Sequence, residues 1–291
     1  MSFNKLSLLH WHLVDEMSFP YQPRGDAANL GKGAYSTFEQ YSADDLTYVV
    51  EFAKARGVRV MFEIDTPGHA DSWKYGFPNV VTDCPNTIAT YSSTISMTTL
   101  DPSQEETFQV LSDLFTDLSK IIEDPFIHMG GDEVFYACWK ESARVTAFMN
   151  KQGYDGMLYT LVKAGYRAIL ANGPNGEWYL NDGFGNGDIY QLWTDVYGLE
   201  PFSGQGDLTP AEAARVLGGE VSLWSEEIHA GNLMGKAWPR ASAFAERMWS
   251  SQAVNDPYEA APRLARMVCK LNAMGIAASP ISPGSCYPRQ P

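Results

Sequence analysis

The chain of 291 residues lacks any run of eighteen apolar residues, so it contains no segment typical of a membrane-spanning helix. Charged residues make up only 19% of the sequence, which argues against long disordered segments. The net charge is −14 and no basic stripe is present, so nucleic acid is not an expected partner. A glycine-rich phosphate loop after a first strand is also lacking, which argues against nucleotide binding.

Cysteine is scarce, with four residues in the chain, and their count alone is as compatible with buried free thiols as with two disulfides. No Asn-x-Ser/Thr acceptor site occurs, so glycosylation gives no indication of compartment. The first six residues do not form the apolar core of a secretory signal. The composition is therefore that of a globular domain with a full core, 45% hydrophobic and 13% aromatic.

Apolar segments alternate with helical ones along the chain, which is typical of parallel βα units. A helix is expected to begin at Asp101-Pro102, since proline is favoured in a first turn. Strands are predicted over 6–14, 58–64, 126–129, 167–171 and 219–223, and helices over about 42–56, 101–122, 140–153 and on to 164, 209–217, 241–249 and 257–274.

Polar side chains with catalytic potential follow several of these strands at the point where each strand ends. They are Asp15, Asp65, His69, Asp132, Glu133 and Glu226. Several strands that contribute to one cluster at their carboxyl ends are the pattern of a (β/α)8 barrel, the TIM-barrel type of α/β fold. A doubly wound parallel sheet would also place ligands there, and it is the alternative.

The segment 126–134 carries the strongest signal, because an apolar strand ends in two glycines and two adjacent acids, Asp132 and Glu133. Glycines permit a sharp turn and a close approach of ligand. Two neighbouring carboxyl groups in a partly dry site do not readily both ionise, so their pKa values separate and their roles divide. A pair of carboxyl groups, one protonated and one ionised, is typical of enzymes that cleave glycosidic bonds. The alternative is a pair of acids that caps the start of a helix.

This segment is one of six motifs that occur in a fixed order over nearly the whole chain. The set is Asn4-Lys5-Leu6 with 9–15 and Ser18-Phe19-Pro20, 65–69, 130–134, 178–181, 218–226 and 238–249. Together they resemble the catalytic domain of glycoside hydrolase family 20, the β-N-acetylhexosaminidases, in its lysosomal hexosaminidase-like branch. The resemblance implies hydrolysis of terminal non-reducing N-acetylhexosamine residues. It also implies a retaining mechanism in which the substrate's acetamido oxygen is the nucleophile.

The resemblance assigns a role to each matching residue. Glu133 is implied as general acid and base, and Asp132 as the carboxylate that holds the acetamido N–H. Tyr179 is implied as hydrogen-bond donor to the acetamido oxygen. Trp224 is implied as the platform under the sugar ring and Glu226 as a ligand of sugar hydroxyls.

Behind the acid, the resemblance implies a supporting carboxylate–imidazole pair of Asp15 and His69. Asn181 is expected to steady the loop of Tyr179 or to contact substrate. It also implies the disulfides Cys84–Cys138 and Cys269–Cys286. Disulfides indicate an oxidising compartment, so a lysosomal or secreted location is expected. Neither a metal nor a cofactor is required, the expected partner is a glycan substrate, and a homodimer is an expectation from the family.

The chain departs from the family pattern in two places. The family's first strand, with a sugar-gripping arginine, has no counterpart, and its fifth and sixth strands are missing near 153–165. We therefore expect a single catalytic domain over 1–291 that is truncated at its N-terminus and has an internal gap. A catalytically impaired sugar-binding remnant and a truncated gene model of a normal enzyme remain the alternatives.

Overall fold

The computed structural model describes residues 1–91, 98–131, 133–152, 168–171, 180, 192–199, 209, 211, 214–224, 228–282 and 286. Their strands are β1 (Leu8–Val14), β2 (Arg59–Ile64), β3 (Ala168–Ala171) and β4 (Val216–Glu220). Their α-helices are α1 (Ala43–Lys54), α2 (Pro85–Tyr91), α3 (Glu105–Leu118), α4 (Tyr136–Glu141), α5 (Ala143–Gln152), α6 (Trp193–Gly198), α7 (Leu233–Ala237), α8 (Arg240–Trp249) and α9 (Pro257–Ala273).

The chain divides into two compact units, residues 1–155 and 156–291. In the first unit β1 and β2 pair in parallel, with Leu8 opposite Arg59 and His12 opposite Glu63. The predicted third strand, 126–129, is not a full strand in the structure and forms an isolated parallel bridge between Glu63 and His128. Its main chain is nevertheless paired, since His128 N–H donates to the Phe62 carbonyl at 3.0 Å. The predicted parallel arrangement is present in this unit.

Helix α1 begins where the sequence indicates. The Ser42 hydroxyl accepts from the Asp45 N–H at 3.2 Å, and the Asp45 carboxylate accepts from the Ser42 N–H at 2.8 Å. This reciprocal capping satisfies two amide groups that the first helical turn leaves without partners. Leu46 and Val50 then face inward and pack in a core that β2 supplies with Phe62.

Helix α3 differs from the prediction, because it begins at Glu105 instead of Asp101 and ends at Leu118 instead of Ile122. Asp101 is fully buried, and its carboxylate accepts from the Ser103 N–H at 2.8 Å. Its carbonyl accepts from the Thr107 hydroxyl at 2.7 Å. These local bonds offer the backbone a turn in place of the first helical turn.

In the second unit β3 and β4 pair in parallel, with Ala168 opposite Val216. The predicted helix over 209–217 is therefore wrong at its end, because Val216 and Leu217 belong to β4, and the predicted strand 219–223 begins three residues earlier. Pairing with β3 outweighs local helical preference here. Helices α8 and α9 lie within one residue of their predicted bounds and pack Ala243, Ala260 and Leu264 in a second core.

Both implied disulfides are present, each inside one unit: Cys84–Cys138 in the first and Cys269–Cys286 in the second. All four cysteines of the chain are used. Cys84 and Cys138 are fully buried. Among the helices that the structure describes, none has the length and apolar character needed to cross a bilayer.

Candidate active site

Alternate residues of β1 and β2 carry imidazoles and carboxylates on one face. His10 and His12 are two apart on β1, and Glu63 and Asp65 are two apart at the end of β2, so each pair shares a face of its strand. The His10 Nε2 lies 2.5 Å from a Glu63 oxygen, and the His12 Nε2 lies 3.4 Å from Asp65 Oδ2. The two strands therefore carry two layers of charged side chains, one of His10 with Glu63 and one of His12 with Asp65. The layer that contains Asp65 lies at the carboxyl ends of the strands.

Beyond these strand ends, His69 joins two carboxylates. Its Nδ1 lies 2.9 Å from Asp15 Oδ1, and its Nε2 lies 3.4 Å from Glu133 Oε2. The His69 side chain is only 14% exposed, whereas that of Glu133 is 61% exposed. An imidazole held at one nitrogen by Asp15, whose side chain is 48% exposed, presents its other nitrogen to the more exposed Glu133. This arrangement suits a group that must gain and lose a proton at the surface of a site.

Unusual backbone conformations hold both side chains in place. His69 has φ 50° and Glu133 has φ 44°, and only Lys5 shares a positive φ among the other non-glycine residues that the structure describes. Strained conformations of this kind cluster at functional sites. Helix α4 begins at Tyr136 with Phe135 as its N-cap, so Glu133 does not cap a helix and that interpretation is wrong for this residue.

Asp65 lies at the centre of the cluster with no exposed surface. Its Oδ1 accepts from the Gly131 N–H at 3.1 Å, and its Oδ2 lies 3.9 Å from His69 Nε2. The buried carboxylate therefore contacts both the glycine turn that precedes Glu133 and the imidazole that faces it.

The electrostatics of the cluster favour ionised carboxylates and a charged imidazole. Burial acts to raise the pKa of Glu63, but the neighbouring His10 and His128 imidazoles lower it to about 2. Burial likewise acts to raise the pKa of Asp15, but the His69 hydrogen bond brings it below its ordinary value. For His12, burial is outweighed by the Asp65 hydrogen bond and the charge of Glu63, so its pKa is raised.

In the second unit, hydrogen bonds fix the backbone of Leu180, the residue between the predicted site residues Tyr179 and Asn181. The Leu180 N–H donates to the Ser222 carbonyl at 2.8 Å, and a buried Arg240 donates to the Leu180 carbonyl at 2.5 Å. Trp224 is half-buried two residues after Ser222. The segment after β4 therefore runs beside position 180.

The structure brings Asp15, His69 and Glu133 together, and it places Trp224 beyond the end of β4. Four predicted site residues lie outside the described residues: Asp132, Tyr179, Asn181 and Glu226.

Sequence reasoning missed the inward histidines and Glu63, and it predicted Asp65 only as a residue at a strand end. The signal was the spacing of two between His10 and His12 and between Glu63 and Asp65, which places each pair on one strand face.

Parallel strand pairs with an acid–imidazole–acid arrangement beyond their carboxyl ends define an α/β protein with an acid–base site. The catalytic-domain model of glycosyl hydrolase family 20 matches residues 1–159 and 155–252. The chain therefore belongs to this family.

Curated relatives agree with this assignment. The chain is 33% identical over 345 residues to the β-hexosaminidase subunit alpha of Rattus norvegicus, with 98% of this chain and 62% of the relative covered. It is 34% identical over 350 residues to β-hexosaminidase 1 of Arabidopsis thaliana, with 99% of this chain and 61% of the relative covered. The chain thus spans about three-fifths of the length of these relatives.

Solved structures support the barrel fold. A chitobiase of Flavobacterium johnsoniae superposes with a TM-score of 0.80 at 24% identity, covering 94% of this chain and 48% of that one. An exo-β-N-acetylglucosaminidase of Vibrio harveyi in complex with N-acetylglucosamine gives 0.76 at 18% identity, covering 96% and 55%. The fold is that of a TIM-barrel catalytic domain.

Proposed function

We propose that this chain hydrolyses terminal non-reducing N-acetylglucosamine or N-acetylgalactosamine residues of glycans by a retaining, substrate-assisted mechanism. The observation that carries the proposal is the position of His69 between Asp15 and Glu133, at 2.9 Å and 3.4 Å. A general acid needs a partner that adjusts its proton affinity and a surface that meets the substrate, and Glu133 has both. The family membership and the relatives that are named β-hexosaminidases support the same activity.

In the proposed first step, Glu133 donates a proton to the leaving oxygen while the bond from that oxygen to the anomeric carbon breaks. The acetamido carbonyl oxygen bonds to the anomeric carbon and gives an oxazolinium ion. In the second step the Glu133 carboxylate takes a proton from water, which attacks the same carbon and reopens the ring with net retention. The Glu133 side chain is 61% exposed, so it is accessible to both the leaving group and water.

The remaining roles rest on the family resemblance. Asp132 holds the acetamido N–H and stabilises the cation, and Tyr179 donates to the acetamido oxygen. Trp224 supports the apolar face of the sugar, Glu226 binds its hydroxyls, and Asn181 steadies the loop of Tyr179 or contacts substrate. We also propose a lysosomal or secreted location, which the two disulfides support. A homodimer is a further proposal from the family.

We propose one catalytic domain over 1–291 with an internal gap near 153–165, where the family's fifth and sixth strands would stand. The alignment with the rat relative runs over 345 residues although this chain has 291, so the relative has segments without a counterpart here. The family model also matches in two parts, which meet at 155–159. Sequencing the transcript across codons 153–165 tests whether the gap belongs to the gene product.

Hydrolysis of 4-nitrophenyl N-acetyl-β-glucosaminide and of the galactosaminide by the purified chain tests the activity. We expect Glu133→Gln to lower kcat by about 10²–10⁴-fold, since general acid–base catalysis contributes that much. Glu123→Gln is the control, because Glu123 is an exposed acid that pairs with Lys54 at the surface. Equal rates for the native chain and Glu133→Gln would overturn the proposal. Binding of an N-acetylglucosamine-thiazoline inhibitor without turnover would favour the sugar-binding remnant instead.

A further inference from the structure

A second cluster lies one layer away from the acid–base site and takes no part in the proposed reaction. It consists of His10 on β1, Glu63 on β2 and His128, which forms a parallel bridge with Glu63. Three neighbouring extended segments thus contribute one side chain each. The His10 and His128 rings have their centroids 4.7 Å apart, and each ring has a nitrogen close to a different oxygen of Glu63.

We propose that His10, Glu63 and His128 form a binding site for a divalent transition-metal ion of the Zn²⁺ class. Two imidazoles and one carboxylate are a donor set that Zn²⁺ accepts, with a fourth position left for water. Mg²⁺ and Ca²⁺ prefer oxygen ligands, so they fit this set poorly. A metal site is not among the expectations from the sequence.

The geometry is close to what such an ion requires. The donor atoms of the three residues all lie within 4.8 Å of one another. The His10 Nε2 is 2.5 Å and the His128 Nδ1 is 3.1 Å from their respective Glu63 oxygens. Bonds of about 2.0–2.1 Å to a tetrahedral ion separate the donor atoms by roughly 3.3 Å. Small ring rotations therefore open enough room between the donors.

The cluster is both protected and accessible. The Glu63 side chain is 5% exposed and that of His10 is 18% exposed, whereas the His128 side chain is 40% exposed. An ion can approach past His128 and reach a carboxylate that water rarely contacts. Within the part of the chain that the structure describes, the other group of potential ligands is His12, Glu63 and Asp65. It offers one imidazole instead of two and is a poorer match for Zn²⁺.

Metal binding at this site would act on the catalytic turn. The Gly130 N–H donates to His128 Nδ1 at 3.1 Å. A metal ion on the same nitrogen uses the same lone pair, so the Gly130 amide loses its acceptor. Gly130 begins the turn that leads to Glu133, and Zn²⁺ is therefore an expected inhibitor. Only this inhibition rests on the proposed function, because metal binding itself needs no catalytic activity.

Calorimetric titration of the full chain with Zn²⁺ alone tests the proposal. We expect one ion per chain for the native protein, and at least about tenfold weaker binding in His10→Gln and His128→Gln, as even the loss of an outer-shell partner has that effect. His229→Gln is the matched control, since His229 is the fifth histidine and lies in the second unit. It should bind Zn²⁺ as the native chain does.

A second measurement keeps the proposal testable if the variants do not fold. The X-ray absorption spectrum of the Zn²⁺-loaded native chain should show imidazole scattering from two ligands. Absence of binding, or a spectrum without imidazole, would overturn the proposal. It would also be overturned if His69→Gln abolished binding while His10→Gln and His128→Gln did not, because the ion would then occupy the acid–base site.

Discussion

The carboxylate of Asp65 fills the space in which a side chain at Gly130 would begin. A Cβ atom added at Gly130 would lie 1.8 Å from Asp65 Oδ1 and 2.6 Å from Asp65 Cα. The φ of Gly130 is also +71°, a conformation that residues with a side chain rarely adopt. Two independent reasons therefore require glycine at the start of the turn that leads to Glu133.

Gly130→Ala should destabilise the chain by about 3 kcal/mol, since it adds backbone strain and a steric clash with a buried carboxylate. Denaturant unfolding measures the change. Gly57→Ala is the matched control, because Gly57 has φ +70° but no heavy atom within 4 Å of an added Cβ. It should cost about 1 kcal/mol through backbone strain alone. Equal losses in the two variants would contradict the role assigned to Asp65.

Asp15→Asn should lower kcat by about 10–100-fold with little change in KM, because the variant loses the charge that orients His69. The pKa of Asp15 lies below its ordinary value because His69 donates a hydrogen bond to it, so the native carboxylate is ionised at neutral pH. The loss in kcat should therefore be present at pH 7. Steady-state kinetics at pH 7 measure it. Asp26→Asn, at an exposed acid, should behave as the native chain, and an unchanged kcat in Asp15→Asn would refute the prediction.

Asp117 should make stability depend on acid pH. Burial acts to raise the pKa of Asp117, but the Tyr21 hydroxyl at 2.7 Å and two bonds from Arg24 bring it below its ordinary value. A carboxyl with a depressed folded-state pKa stabilises the fold above its unfolded pKa of about 3.9. That contribution is lost as the pH falls from about 5 through the folded-state pKa.

Asp117→Asn should therefore lower the free energy of unfolding by about 2 kcal/mol at pH 7 and flatten its dependence on pH below 5. Urea unfolding at several pH values measures both effects. Asp113→Asn is the control on the same helix, where the side chain is half-buried and accepts from Gln109 at 3.0 Å. A native pH dependence in Asp117→Asn would show that this carboxyl does not contribute.

The two disulfides should differ in their effect on stability. In the chain-entropy model, the 54-residue separation of Cys84 and Cys138 corresponds to about 4 kcal/mol, and the 17-residue separation of Cys269 and Cys286 to about 3 kcal/mol. Replacing both cysteines of a pair by alanine should lower the midpoint of thermal unfolding more for the first pair. The reverse order would mean that native-state packing outweighs loop entropy.

The sequence predicted those elements whose ends are set by neighbouring residues. Ser42 and Asp45 define the start of α1 through their own hydrogen bonds, and Gly57 supplies the left-handed turn after it. The start of α3 was not predictable in this way, because Asp101 is buried by tertiary packing and bonds to Ser103 instead of opening a helix. The extent of β4 likewise depends on its pairing with β3, which local preference does not contain.

The same distinction applies to the site. The contact of His69 with Asp15 was expected from the family motifs, and the resemblance alone supplied it. The cluster of His10, Glu63 and His128 was not expected, since its members are 53 and 65 residues apart and meet only through the register of parallel strands. Periodicity places a side chain on a face, but it does not say which side chains of neighbouring strands lie opposite each other.

Each disulfide closes within one of the two compact units, so the main chain is the only covalent connection between residues 1–155 and 156–291. A protease that cuts one peptide bond between these units would release two fragments that separate on a gel without reductant. Cuts inside 84–138 or 269–286 would leave their fragments joined until reductant is added. Comparing gels with and without reductant would thus locate a nick in one step.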